Sequence, residues 1–354
     1  MKGFLRVFIL LALVVIIVGY TMATEKPKYV FKLAHISDVT HPSHKGALLF
    51  KKLVEERANG LVKIDIYPNA MLGSAPEYTE QIKMGLLAMG LSTSGQLQVW
   101  VKEYGVVMLP FLFDNYEHAH RVLDGPAGQF LAKLAEKEGF VVLADWEWGF
   151  RQITNNKRPI HSADDIAGLK MRVPNEFQLM EMYKALGAVT TVIAFPELYM
   201  ALAQGVADGQ CNPLPTIYSQ KFYEVQKYLA ITNHVYNSQM LVMSKKIWDK
   251  LPADIQRILK ESARIAGLYV RQLVKESEEK LIDEMKKKGI VVTYPDLASF
   301  REKVKPAIDR IADVIGKDFT YKFLECVEKV REEIKKEKEE AKEIMDSLKA
   351  AAGK

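Results

Sequence analysis

The chain has 354 residues, of which 49% are hydrophobic and 26% charged, so it can bury a sizeable core, and its length suggests two lobes. The formal net charge of +5 is mild and does not suggest nucleic-acid binding, which usually requires a clustered basic face. Two cysteines, Cys211 and Cys326, allow at most one disulfide, and we expect two buried free thiols instead.

The first 23 residues have the features of a secretory signal peptide. Lys2 and Arg6 form a basic start, Val7–Val18 is an unbroken apolar run, and Thr21–Ala23 offers small residues for cleavage. The apolar run is too short for a comfortable membrane span, although an uncleaved anchor stays an alternative. Because this region contains no cysteine, we expect a soluble, exported, periplasmic or extracytoplasmic protein without a lipid anchor.

Strands and helices are predicted to alternate through the first 150 residues, which is typical of an α/β protein. The predicted strands cover 29–34, 62–67, 88–91 and 141–146, with another ending at 109–111. The predicted helices cover 46–58, 76–85, 118–123 and 128–137. Later helices are predicted at 254–288, 297–315 and, rich in Lys and Glu, 325–352. The last is most simply a solvated terminal helix, with a partner-binding coil as the alternative.

Histidine pairs give the only spacings that hint at a metal site. His41 and His44 stand in a polar loop, and His118 and His120 lie on a predicted helix. Neither pair has a cysteine or a third carboxylate partner, so solvated side chains are the favoured interpretation. We expect no metal, no cofactor and no enzymatic activity, because the motifs of hydrolases and nucleotide-binding enzymes are absent from the sequence.

The segment from 149 to 213 carries the most functional information. Its stretch at 169–173 alternates apolar and basic residues, so a half-buried strand is predicted with Arg172 on the face opposite the apolar side chains. Pro174 should end that strand, because proline cannot donate to a sheet ladder. A guanidinium at a strand end stands where open α/β sheets place their ligand clefts.

Arg172 has plausible companions in the same segment. Arg151 precedes a polar, turn-rich run, a short strand is predicted at 190–193, and Pro196 suits the first turn of a helix. The polar stretch at 208–213 contains Asn212. Two arginines, an amide and an aromatic side chain suit the recognition of a small carboxylate, since a guanidinium binds it bidentately.

In their order, these blocks resemble the substrate-binding proteins of tripartite ATP-independent periplasmic (TRAP) transporters, the DctP-type family. The resemblance extends from Tyr29 to about Leu251 and rests on the blocks KIDIYPNAMLG, VVMLPFLF, GLKMRVP, ELYMALAQGVADGQ and FYEVQKYLAITNH. It implies a two-lobed fold, type II-like among periplasmic binding proteins, with a long helix crossing both lobes and a C-terminal helix.

The resemblance also implies the division of the chain. We expect the signal peptide at 1–23, a first lobe at 24–148 plus about 238–278, a second lobe at 149–237 plus about 279–325, and a charged C-terminal helix at 326–354. The two lobes are expected to close on the ligand about a hinge.

Matched position by position, the resemblance makes Arg172 the partner of the ligand carboxylate, Arg151 a second basic contact and Asn212 the amide that braces both. A surface ion pair is the alternative for Arg172, a structural pair with Glu147 the alternative for Arg151, and a turn role before proline the alternative for Asn212.

Five further residues are predicted to face the ligand. Asn175 and Phe195 match pocket positions, although Phe195 could equally be core. Trp148 and Tyr236 suggest aromatic walls, and Trp148 is expected to share one strand face with the packing residue Trp146. Glu77 would face the cleft from the first lobe, or serve only its own helix.

Two departures from the family pattern bear on the ligand. Cys211 stands where the family usually has glutamate or another polar residue. Thr93 aligns with a glutamate of sialic-acid-binding members, so sialic acid is disfavoured. Three classes of ligand remain as alternatives: a sugar acid, a branched or aromatic monocarboxylate, and a C4-dicarboxylate.

The function implied is that of a solute-binding protein that captures a small carboxylate and delivers it to the membrane permease subunits of an ion-gradient-driven transporter. A ligand-binding sensor component for a signalling partner is the main alternative, followed by a metal-dependent exported enzyme.

Overall fold

The computed structural model describes residues 26–352, so the predicted signal peptide at 1–23 lies outside the described residues. In the part that is described, no helix combines the length and apolar character needed to cross a bilayer.

Residues 26–352 form ten strands joined in one continuous sheet. The strands are β1 (Tyr29–Ala34), β2 (Val62–Tyr67), β3 (Met89–Thr93), β4 (Phe140–Asn155), β5 (Lys170–Val173), β6 (Val189–Val192), β7 (Gly209–Pro213), β8 (Tyr228–Ala230), β9 (Tyr236–Ser244) and β10 (Val291–Thr293). Their order is β2-β1-β3-β9-β4-β7-β5-β6, with β8 beside β4 and β10 beside β8.

The same residues form twelve α-helices. These are α1 (Pro42–Arg57), α2 (Ala75–Met84), α3 (Ser94–Leu97), α4 (Tyr116–Asp124), α5 (Pro126–Lys137), α6 (Phe177–Ala185), α7 (Leu198–Ala203), α8 (Leu214–Ser219), α9 (Lys245–Trp248), α10 (Ala253–Lys287), α11 (Leu297–Ile315) and α12 (Lys317–Ala352).

Strand β4 connects two halves of the sheet. Its residues 140–150 pair antiparallel with β9, next to β3, β1 and β2. Its residues 151–155 pair with β7 and β8, next to β5, β6 and β10. The chain is therefore a two-lobed α/β protein, and we call the β2-β1-β3-β9 half the first lobe and the β7-β5-β6 half the second. The exact domain boundaries stay predictions.

The long helix α10 packs on both lobes, as predicted. Leu259 and Val270 are buried in the core of the first lobe together with Trp146. Near the other end of the helix, Met285 is buried with Leu229 in the core of the second lobe. One rigid element thus joins the two cores.

Helix α12 begins earlier than predicted, and its first half is not solvated. Phe323 and Val327 are buried against the core of the first lobe. Arg331 and Arg121 make ion pairs with Asp114 and Glu337, at 2.8 and 2.6 Å, which hold the helix to that lobe. Beyond residue 334 the described side chains are exposed, so a solvated face describes only the distal half.

The predicted strand ending at 109–111 is wrong. Residues 102–108 form a 3₁₀ helix, Lys102–Met108, and Phe111 has a left-handed backbone with φ of 56°. A short apolar run does not separate a buried strand from a buried helical turn, because periodicity is lost when every side is covered.

The predicted solvated histidines are also wrong. His41 and His118 are each 1% exposed, and His44 and His120 are half-buried. His41 is the N-cap of α1, where its Nδ1 accepts from the backbone N–H of Ser43 at 3.1 Å, which explains why the helix starts at Pro42 and not at 46. In residues 26–352 no three His, Cys, Asp or Glu side chains are grouped to hold a metal ion.

The cysteine prediction is half wrong. Both thiols are free, and Cys211 is buried, but Cys326 is exposed on α12. Because α12 presents one face to the first lobe and the other to solvent, a cysteine on that helix need not be buried.

Candidate functional site

A bulge in β4 directs Trp148 toward the cleft. The register of β4 against β9 shifts between Glu147 and Gly149, which inserts Trp148 as an extra residue. Trp146 remains in the core, and its Nε1 donates to the Ala263 carbonyl at 2.9 Å. The predicted common face of Trp146 and Trp148 is therefore wrong, because the bulge reverses the alternation.

Aromatic neighbours fix the Trp148 ring. It lies 4.7 Å from the His41 ring and 6.4 Å from the Phe195 ring, measured between centroids. His41 Nε2 lies 3.2 Å from Thr216 Oγ1, and burial lowers the pKa of His41 to about 3, so the imidazole is neutral. The wall behind Trp148 is thus rigid and uncharged.

Arg172 is held from behind by the backbone of the second lobe. It lies on β5 and is 2% exposed, and its Nε and Nη2 donate to the Ile193 carbonyl at 2.9 and 2.7 Å. Nη1 makes no hydrogen bond to residues 26–352 and remains available to an acceptor. The surface ion pair that rivalled the ligand role is not formed by the described residues.

Arg151 is held in the same manner by neutral groups. It is 3% exposed, its Nη1 donates to Asn237 Oδ1 at 2.7 Å, and its Nε lies 3.2 Å from Cys211 Sγ. Its Nη2 donates to the Cys211 carbonyl. Glu147 contacts His120 Nε2 at 2.6 Å instead, so the alternative Arg151–Glu147 pair is not formed.

The two guanidiniums leave the site with a surplus of positive charge. No carboxylate oxygen of the described residues lies within 4.0 Å of Arg151 or Arg172. Burial lowers the pKa of Arg172 to about 10, and repulsion from Arg151 acts in the same direction. A bound anion would remove this cost.

Asn212 is oriented by a polar network on β7 and β4. Its Nδ2 donates to Gln210 Oε1 at 2.6 Å, and Gln210 Nε2 donates to Thr154 Oγ1 at 2.9 Å. The Asn212 oxygen is left to face a ligand donor. The alternative, a turn role before proline, does not fit, because Asn212 lies within a strand.

Two adjoining cavities collect most of the predicted residues. A cavity of about 260 Å³ is lined by Arg172, Asn175 and Phe195, together with Gly95 and Gln96 from the first lobe. A smaller one of about 30 Å³ continues it inward. The predicted residues lining the smaller cavity are Trp148, Arg151, Arg172, Phe195 and Asn212.

Two predicted residues do not line these cavities. Glu77 is exposed, and its carboxylate accepts from the N–H and hydroxyl of Ser74 at 2.7 and 2.8 Å, which caps its own helix. Tyr236 is 1% exposed and lies among aromatic rings, 5.4 Å from Phe113 and 5.2 Å from Phe150. Their contact with a ligand stays a prediction that the cavity geometry does not favour.

Sequence reasoning missed Glu176, which lines both cavities. The one signal was its place, two residues after the strand-ending Pro174. It also missed Gln96 and Ile36, on the first-lobe side of the smaller cavity. Gln96 lies in a single helical turn and Ile36 in a loop, and segments this short carry no periodic pattern. Thr93, singled out for its departure from the family, lies in the same wall.

Known proteins are similar in sequence to this chain over most of its length. A family model described as bacterial extracellular solute-binding protein, family 7, matches residues 33–313. The chain is 35% identical over 293 residues to the sialic acid-binding periplasmic protein of Vibrio cholerae, covering 82% of this chain and 91% of that protein. It is 36% identical over 294 residues to the C4-dicarboxylate-binding periplasmic protein of Rhodobacter capsulatus, covering 81% and 87%.

Solved structures give the same picture. A TRAP periplasmic solute-binding protein from a Polaromonas species, bound to D-erythronate, matches with a TM-score of 0.81 and 37% identity, covering 84% of this chain and 98% of that one.

Proposed function

The chain belongs to the family-7 bacterial extracellular solute-binding proteins, and from this premise we propose that it captures a small organic acid between its lobes and delivers it to a TRAP permease. The observation that carries the proposal is the pair of buried guanidiniums, Arg151 and Arg172. Both are fixed by neutral groups, both face a cavity, and neither has a carboxylate partner among the described residues.

The ligand carboxylate pairs with Arg172 in this proposal. Nη1 of Arg172 is the free donor, Arg151 supplies the second positive charge, and Asn212 adds a polar contact. Charge-assisted hydrogen bonds of this kind are strong, and they strengthen further when closure removes water. Trp148 and Phe195 would cover the remainder of the ligand.

The relatives narrow the class of ligand. The ligands named for them include a C4-dicarboxylate, sialic acid and D-erythronate, which all carry a carboxylate. We disfavour sialic acid for this chain, because Thr93 offers a hydroxyl where the resemblance implies a glutamate in sialic-acid-binding members.

Delivery to a permease fits a protein that binds its ligand and does not convert it. The protein works outside the cytoplasm, like the extracellular solute-binding proteins of its family, and the lobes act as a hinged clamp that presents the closed form to the membrane partner. A sensor role would use the same ligand site but a different docking partner.

Thermal unfolding of residues 24–354 against a panel of acids tests the proposal. The panel holds sugar acids, keto acids, C4-dicarboxylates, amino acids and matched neutral sugars. A ligand at one hundred times its Kd adds about 2.7 kcal/mol, or a rise in Tm of a few degrees for a chain of this size. Stabilisation confined to carboxylates is the expected result.

The control is built into the same strand. Lys170 lies on β5 two residues before Arg172, and its side chain is exposed. Lys170→Ala should keep the response to carboxylates, whereas Arg172→Ala should lose it. Stabilisation by neutral sugars alone, or by no acid at all, would contradict the proposed function.

A further inference from the structure

Glu176 is an acidic residue whose side chain does not cap its own helix. It is the N-cap residue of α6, yet its side chain makes no capping hydrogen bond. Ser, Thr, Asp and Asn are the usual residues at this position because their short side chains reach the first N–H groups. A long carboxylate that leaves the cap unmade indicates a role elsewhere.

The carboxylate points across the cleft. Glu176 follows β5 of the second lobe, and it is 4% exposed. A Cβ atom added to Gly95, on α3 of the first lobe, would lie 2.3 Å from the Cδ of Glu176 and 2.4 Å from its Oε1. The carboxylate therefore lies directly against the first lobe, and the absence of a side chain at Gly95 gives it room.

The carboxylate is also short of a partner. Glu176 Oε2 is buried without a hydrogen bond to any described residue. Leaving such a group unpaired is costly, and buried polar groups normally find a donor. Since Glu176 lines both cavities, the missing donor can be a hydroxyl group of the bound ligand.

The charges around the ligand site add up to a single positive charge. Arg151, Arg172 and Glu176 are the charged residues that line the two cavities in the described chain. Burial raises the pKa of Glu176, while the positive charges of Arg151 and Arg172 act in the opposite direction. With the carboxyl ionised beside these two charges, a surplus of one positive charge is left, which one ligand carboxylate neutralises. A dicarboxylate would bring a second negative charge into a buried site that already contains one.

These observations lead to one inference, which rests on the proposed function. We propose that Glu176 is a specificity-determining residue that selects a monocarboxylic acid bearing a hydroxyl group and rejects dicarboxylic acids. The ligand carboxylate takes the two arginines, and a ligand hydroxyl donates to Glu176. Selection by repulsion of the wrong ligand is as effective as attraction of the right one.

Three four-carbon acids test this by isothermal titration calorimetry: D-erythronate, butyrate without hydroxyl groups, and succinate with a second carboxylate. The unmodified protein should bind D-erythronate at least about tenfold more tightly than either of the others, a difference of about 1.4 kcal/mol. Equal or tighter binding of succinate would overturn the inference. Absence of binding by any carboxylate of the larger panel would instead contradict the proposed function.

Two substitutions separate the two roles of Glu176. Glu176→Gln removes the negative charge but keeps an acceptor, so the discrimination against succinate should fall by roughly tenfold. Glu176→Ala also removes the acceptor, so the preference for D-erythronate over butyrate should fall as well. Glu197→Gln, at an exposed position of the second lobe, is the matched control and should shift neither ratio by more than about twofold. If both Glu176 variants still bind and their affinity ratios between the three acids are unchanged, the inference is overturned, while the proposed function stands.

Discussion

Gln178 Nε2 donates a hydrogen bond of 2.6 Å to Gln98 Oε1, and this bond joins the two lobes. Gln98 directly follows α3 of the first lobe, whereas Gln178 lies in the first turn of α6 of the second. Gln178 is 0% exposed, so the bond is shielded from water. We propose that it stabilises the closed form of the protein.

Gln178→Ala should weaken ligand binding without touching the ligand. A buried neutral hydrogen bond contributes about 1 kcal/mol, so the expected loss of affinity is roughly fivefold. The same loss is expected for Gln98→Ala, and the double variant should lose no more than either single one, because both remove one bond. Titration calorimetry measures the cycle, and additive losses would show that the two side chains act independently.

Arg172→Ala should abolish most of the affinity for carboxylates. The ligand carboxylate would be buried without its partner, which costs about 2–5 kcal/mol, or roughly 30-fold to several thousandfold. Arg172→Lys should also bind poorly, because an ammonium cannot reproduce the two bonds to Ile193 while contacting the ligand. Near-native affinity in Arg172→Ala would remove the basis of the proposed carboxylate site.

The sequence predicted this part of the site because the signals are local. Strand periodicity at 169–173 and the proline that follows it are enough to put Arg172 at a strand end. The order of the family blocks then supplied Arg151, Asn212 and Phe195. Each of these depends on neighbours in sequence, so pattern and resemblance suffice to find it.

The rest of the site depends on tertiary structure. The bulge that turns Trp148 away from Trp146 arises from pairing with β9, almost ninety residues later. The proposed role of Glu176 depends on Gly95 in the other lobe, which leaves room for the carboxylate. The burial of Cys211 and exposure of Cys326 follow from which face each element presents. No window of sequence contains such relations.

Gly46→Ala should destabilise the first lobe. A Cβ there would lie 2.2 Å from Val270 Cγ2 and 3.1 Å from Trp146 Cζ3, so α1 could no longer approach α10 as closely. Overpacking of this kind costs about 1–3 kcal/mol, which outweighs the gain of about 0.5–1 kcal/mol from replacing glycine in a helix. Urea unfolding should show a lower midpoint, whereas Leu48→Ala, at an exposed position of the same helix, should change it little. A stabilised Gly46→Ala protein would show that the helices separate freely.

Glu147 and His120 should make stability depend on pH above neutrality. Burial raises the pKa of Glu147 to about 8 and lowers the pKa of His120 to about 3, and the two side chains lie 2.6 Å apart. Between pH 4.5 and 6.5 the folded state holds the Glu147 proton and the unfolded state holds a histidine proton, so the two effects cancel. Between pH 6.5 and about 8 the folded state alone holds a proton, so the free energy of unfolding falls as pH rises.

The slope of this fall can be measured by substitution. One proton over this window corresponds to about 2 kcal/mol. Glu147→Gln cannot lose a proton at this position. The fall in its free energy of unfolding between pH 6.5 and 8 should therefore be smaller by that amount. Glu136→Gln, at an exposed position, should keep the slope of the unmodified protein. Denaturant unfolding at several pH values gives the comparison. Parallel curves for the unmodified protein and Glu147→Gln would contradict the prediction. They would mean that the Glu147 carboxyl is already ionised in the folded state at pH 6.5, because the groups around it outweigh its burial.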